Sequence, residues 1–196
     1  LNLATGTATN SVSGEIVLKV GDSGAGNGAN IRVTAGAGLP ASRAGGDVNV
    51  NAGVGGSTGG DILVRAGNGI ASTGGSLTLL SGSSTAGASG SVKLGSTNAG
   101  TAGVSGAVDI VSGNSVSGST GAMLLTTGNA TAGRSGGITL AVGSGDSGIG
   151  GAVRLHGGRS TANDMIGTGG AVEILSGVGT TSASGRILLS TATSGA

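Results

Sequence analysis

The sequence predicts an all-β protein, a single β-solenoid of about thirteen 15-residue coils organised in four-coil modules with a period of 61. Three observations predict it. Two aliphatic residues separated by one other residue recur along the whole chain. Between these pairs the chain is almost entirely Gly, Ser, Ala and Thr. Aromatic residues and cysteine are absent, and Gly fills 47 of the 196 positions.

The repeat can be written G-x-Φ-x-Φ-x-[S/A/T]-G, with Φ aliphatic. Its first aliphatic falls at Leu1, Ile16, Ile31, Val48, Ile62, Leu77, Val92, Val108, Met123, Ile138, Val153, Val172 and Ile187, so the steps are 15, 15, 17, 14, 15, 15, 16, 15, 15, 15, 19 and 15. A second aliphatic always follows two positions later, as in Leu77-Thr78-Leu79 and Val92-Lys93-Leu94. Side chains at i and i+2 share one face of an extended chain, so each repeat is predicted to begin with a short strand. Helix is excluded, because glycine at this density costs about 1 kcal/mol per residue relative to alanine.

The seventh position of the repeat is small (Ala35, Ala52, Ala66, Ser81) and shares the inward face by parity. A glycine such as Gly36, Gly53 or Gly82 follows, where a corner with positive φ would suit it. A few small residues then return the chain to its next start. Two aliphatic side chains cannot by themselves offset the conformational entropy of ordering one repeat, so stability would have to be collective, each coil lying on the last. A thin core of this kind would explain both the small residues and the missing aromatics. On this reading Leu79 and Leu94 stack in adjacent coils, and Leu79→Asp would bury a charge and unfold its neighbours.

A longer period is superimposed on the short one. Ile31-Arg32-Val33, Val92-Lys93-Leu94 and Val153-Arg154-Leu155 recur at a constant offset of 61 and precede the longer returns, among them residues 37–46 and 159–170. The repeats after them carry Asn49, Asp109 and Glu173 at the central position. A single four-sided coil spanning that whole period would stack Arg32, Lys93 and Arg154 on one another, and like charges opposite each other repel. Fifteen-residue coils instead place Lys93 beside Asp109 and Arg154 beside Glu173, and are the preferred reading. The central leucines Leu63, Leu124 and Leu188 then recur along one side as candidate lateral-contact residues.

Chemistry is sparse. Nine basic and eight acidic residues are dispersed, with no basic cluster or aromatic platform for nucleic acid. No apolar run approaches the roughly 18 residues of a membrane span. His156 is the only histidine, with no second His or Cys to share a metal and no base other than itself to activate a serine. Asp47 and Asp61, in "GGDV" and "GGDI", resemble calcium-binding nonapeptide repeats, yet the spacing is fifteen and other repeats carry Ser76, Ser91, Ala107 or Ala122 there. "GDSGAGNGAN" has the composition of a phosphate loop without its GK[ST]. Residues Asn163 to Ile166 lie in the longest return and read as a tolerated insertion rather than a binding loop. No catalytic, cofactor-binding or metal residues are assigned, and no enzyme or cofactor is expected.

The motifs "GSLTLLSG", "GSVKLGS", "GAVDIVSG" and "GAVEILSG" make the chain similar to secreted Gly/Ser-rich β-solenoid repeat proteins of the adhesin-stalk and surface-fibre kind. The coil length also resembles that of small insect antifreeze β-helices. Their ice face is a double row of Thr-x-Thr, whereas the central residues here run Val17, Arg32, Asn49, Leu63, Thr78, Lys93. The resemblance implies a structural segment of an extracellular or cell-surface fibre; uncapped coil ends would associate end to end as open sheet edges, with lateral contacts through Leu63, Leu124 and Leu188. A binding module for ice or carbohydrate is the alternative. Residues 1–196 are expected to be one continuous repeat segment of a longer chain, since the sequence opens on Leu1 inside a repeat.

Overall fold

A computed structural model describes residues 1–39, 43–162 and 167–193. The chain divides into two parts, Leu1–Gly95 and Ser96–Ala196. Among the described residues there is no helix and no β-strand, so the all-β solenoid is not formed and neither are its stacked coils. Leu79 and Leu94, expected to be the spine of that solenoid, are 70% and 76% exposed. No described residue is buried.

The physical reason lies in the surface. The molecule exposes 19451 Å². A compact monomer of its 17.7 kDa would expose roughly 8,000 Å² and the unfolded chain about 26,000 Å². Only about a quarter of the chain's surface is therefore withdrawn from water, against roughly 70% for an ordinary domain of this size. Two aliphatics per repeat, without a single aromatic ring, do not supply enough apolar area to order glycine-rich backbone into a ladder. Period-two alternation is present, but among the described residues neither aliphatic of a pair is buried.

What does form is the return. In the first part, backbone bends occupy residues 9–11, 24–26, 43, 56–58, 70–72 and 85–87. In the second they occupy 116–118, 131–133, 146–149 and 180–182, with a turn at 101–102. These positions step along the chain with the period of the sequence. Each bend is the tip of a loop, and several loops are tied at the neck by a backbone hydrogen bond between two glycines. The Gly46 N–H donates to the Gly36 carbonyl at 2.9 Å, Gly60 to Gly53 at 3.0 Å, Gly75 to Gly67 at 2.9 Å and Gly90 to Gly82 at 2.9 Å. In the second part Gly170 donates to Gly158 at 2.8 Å and Gly185 to Gly177 at 2.9 Å. Donor and acceptor are the two glycines that frame the repeat, so each loop is a short segment with its ends held together, in the manner of an Ω-loop.

The neck also corrects two residue-level expectations. Gly36, Gly53, Gly67, Gly82, Gly158 and Gly177 do not have positive φ; among the described residues only Gly148 does, at 73°. Their role is to accept the neck hydrogen bond. Where the neck hydrogen bond forms in the first part, the seventh residue is small and meets the donor glycine across the neck. A Cβ placed on Gly60 would stand 3.5 Å from the Ala52 Cβ, on Gly75 3.4 Å from that of Ala66, and on Gly90 3.4 Å from that of Ser81. A narrow solenoid interior is not what limits their size.

Candidate functional site

The candidate site is the repeated Φ-x-Φ segment together with the loop that follows it. Its first aliphatic is half exposed in most repeats, as at Ile16 (50% exposed). The second and central side chains project further. Leu63 belongs to the first part, and Leu124 and Leu188 to the second; all three are exposed, Leu124 at 82%. The resulting surface is a series of short apolar patches, each framed by glycine.

The loops bring a second set of side chains that periodicity did not single out. Ile70, Val116 and Ile149 lie at bends and are fully exposed. Their signal in the sequence is a lone β-branched residue in the Gly/Ser/Ala return, out of phase with the aliphatic pairs. A third set is polar. The Gly26 N–H donates to Ser23 Oγ at 3.1 Å, Gly87 to Ser84 Oγ at 2.8 Å and Ala162 to Ser160 Oγ at 3.3 Å. These serines stand two residues after the glycine that follows the aliphatic pair, where a hydroxyl can replace a backbone acceptor in a short turn. Other repeats carry glycine there: Gly38, Gly55, Gly69 and Gly179. At these a Cβ would strike backbone, Thr58 O in the case of Gly55 and the Ser72 and Thr73 oxygens, both at 2.5 Å, in the case of Gly69. The choice between serine and glycine therefore selects between two ways of folding the same loop.

Charged groups are held apart. Among the described residues the ion pair is Lys19–Asp22 at 3.9 Å, with side chains 70% and 95% exposed, a pair that adds little to stability. Lys93 and Asp109, and Arg154 and Glu173, expected to be neighbours on adjacent rungs, make no ion pair. His156, Asp47 and Asp61 are exposed, and no cluster of three or more His, Cys, Asp or Glu that could hold a metal occurs among the described residues. Among the same residues there is no pocket, and no helix is long and apolar enough to cross a membrane. The segment Asn163–Ile166 falls outside the described residues.

Chemically, what the described residues offer is exposed aliphatic side chains and glycine-rich loops. Comparison with protein families, curated proteins and solved structures gave no match.

Proposed function

We propose that the chain is a structural, non-catalytic segment of an extracellular or cell-surface fibre, assembled by association of its copies through the Φ-x-Φ segments. One observation carries this reading: an aliphatic pair recurs in every repeat and is nowhere buried among the described residues, Leu79 and Leu94 being 70% and 76% exposed. Monomeric proteins seldom leave apolar surface open on this scale, and regularly recurring patches favour a partner with the same recurrence. A second copy has it. Association through open sheet edges at the coil ends falls with the solenoid, so the contacts proposed are lateral, through side chains that include Leu63, Leu124 and Leu188.

Sedimentation of the purified chain across a concentration series, with negative-stain imaging of the concentrated sample, tests this. Mass that rises with concentration and the appearance of filaments are expected. A monomer at every concentration would overturn the proposal.

A further inference from the structure

Two asparagines, Asn27 and Asn68, are followed directly by glycine. Both lie in returns of the first part, outside the aliphatic pairs, and both are exposed together with Gly28 and Gly69. Among the described residues neither the Gly28 nor the Gly69 N–H donates a hydrogen bond. Their surroundings differ. At Gly28 an added Cβ would meet nothing within 4 Å, and no neck hydrogen bond spans that position. Gly69 sits inside the loop tied by the Gly75–Gly67 hydrogen bond at 2.9 Å, and its Cβ would stand 2.5 Å from the Ser72 and Thr73 backbone oxygens.

We propose that Asn27 is a site of spontaneous covalent modification, converting through a cyclic imide to isoaspartate and aspartate, and that its closed loop holds Asn68 back from the same reaction. The Gly28 backbone nitrogen attacks the Asn27 side-chain carbonyl carbon. A bond forms between that nitrogen and Cγ, the nitrogen gives up its proton, and the side-chain nitrogen leaves as ammonia. Solvent water then opens the ring. Addition at Cγ yields aspartate; addition at the backbone carbonyl yields isoaspartate, in which the chain runs on through the β-carbon. Nothing is oxidised or reduced, since the net change is water in and ammonia out. Glycine favours the step because no Cβ crowds the attacking nitrogen and the backbone can take the rotation that the ring requires. Asn51 and Asn98 precede alanine, and Asn30 and Asn49 precede the β-branched Ile31 and Val50, so each of these has that obstacle. Ring closure swings the following peptide about the asparagine. At Asn27 it swings into open space, whereas at Asn68 it displaces Gly69 from its seat against Ser72 and Thr73, which requires the neck to open. Each conversion replaces a neutral amide with a carboxylate, and isoaspartate also lengthens the backbone by one atom.

The test is to hold the full chain, dilute enough that copies do not cover one another, in mildly alkaline buffer and follow each asparagine by peptide mapping with mass spectrometry. Asn27 is expected to convert about tenfold faster than Asn51 or Asn98, the difference a following glycine makes. It should also outpace Asn68 about fivefold, the factor set by opening one neutral hydrogen bond. Hydroxylamine, which traps the imide and splits the chain there, should cut first between Asn27 and Gly28. Gly28→Ala should slow Asn27 to the rate of Asn51. Ala66→Leu crowds the neck where the Ala66 Cβ lies 3.4 Å from the position of a Gly75 Cβ, and should bring Asn68 up to the rate of Asn27. Concentrated urea should bring the two together as well. The proposal is overturned if Asn27 converts no faster than Asn51. It is equally overturned if Asn68 keeps pace with Asn27 in the native chain, or stays slow in both Ala66→Leu and urea.

Discussion

Single residues in this chain are chosen for what the loop necks tolerate. Gly82 and Gly69 make the contrast. At Gly82 an added Cβ meets nothing within 4 Å and φ is not positive, whereas at Gly69 it meets two backbone oxygens at 2.5 Å. Gly82→Ala should therefore preserve its loop and order it slightly, by the few tenths to about 1 kcal/mol that removing a glycine from the unfolded ensemble supplies. Gly69→Ala should open its loop and release the Gly75 N–H from the Gly67 carbonyl. Amide hydrogen exchange distinguishes them: faster exchange at Gly75 in the second variant, unchanged or slower exchange at Gly90 in the first. Equal exchange in both would show that backbone approach at Gly69 does not shape the loop. The same scale decides Leu79→Asp. A charge introduced at a side chain 70% exposed stays in water, so the far-ultraviolet spectrum of the dilute chain should not change; the effect expected is weaker association.

At the scale of the element, the unit that persists is the loop, and much of it was legible in the sequence. The bends at 56–58, 70–72 and 85–87 keep the spacing of Val48, Ile62 and Leu77, and the neck glycines are those that define the repeat. What alternation could not convey is whether anything covers the face it marks out. Leu77 and Leu79 share a side of an extended backbone by geometry alone, yet burial needs a second surface, and nothing in the pattern of one chain says which chain supplies it. The apolar loop tips Ile70, Val116 and Ile149 were overlooked because they fall outside the period, and the turn serines because a hydroxyl and a glycine serve the same position. A prediction belongs here. Ser81→Leu places a large side chain where the Ser81 Cβ already lies 3.4 Å from the position of a Gly90 Cβ, so the neck between Gly82 and Gly90 should part and Gly90 should exchange quickly. Ser84→Ala, which removes only the hydroxyl that the Gly87 N–H uses, should cost about 1 kcal/mol or less locally and leave that neck closed. Matching exchange rates at Gly90 in the two variants would contradict the division of labour between neck and tip.

For the whole molecule, the surface left in water governs how it responds to denaturant. The slope of a denaturant transition follows the area exposed on unfolding, and an ordinary domain of this length exposes most of its chain only when it unfolds. Here about three quarters of the unfolded chain's area is already open. A dilute sample should therefore show a shallow, continuous drift with urea, followed by circular dichroism, instead of a sigmoid, and no resolvable heat-capacity step on warming. At concentrations where copies associate, the aliphatic pairs acquire the cover that one chain does not provide. A cooperative transition should then emerge, with a midpoint that climbs as protein is added, because association stabilises by mass action. Double substitution of Leu63 and Leu124 by serine should move that concentration-dependent midpoint downwards while leaving the dilute drift as it is, since both leucines face water in the single chain. A sharp transition whose midpoint ignores concentration would mean that one chain buries its own core, and assembly would then have nothing apolar left to cover.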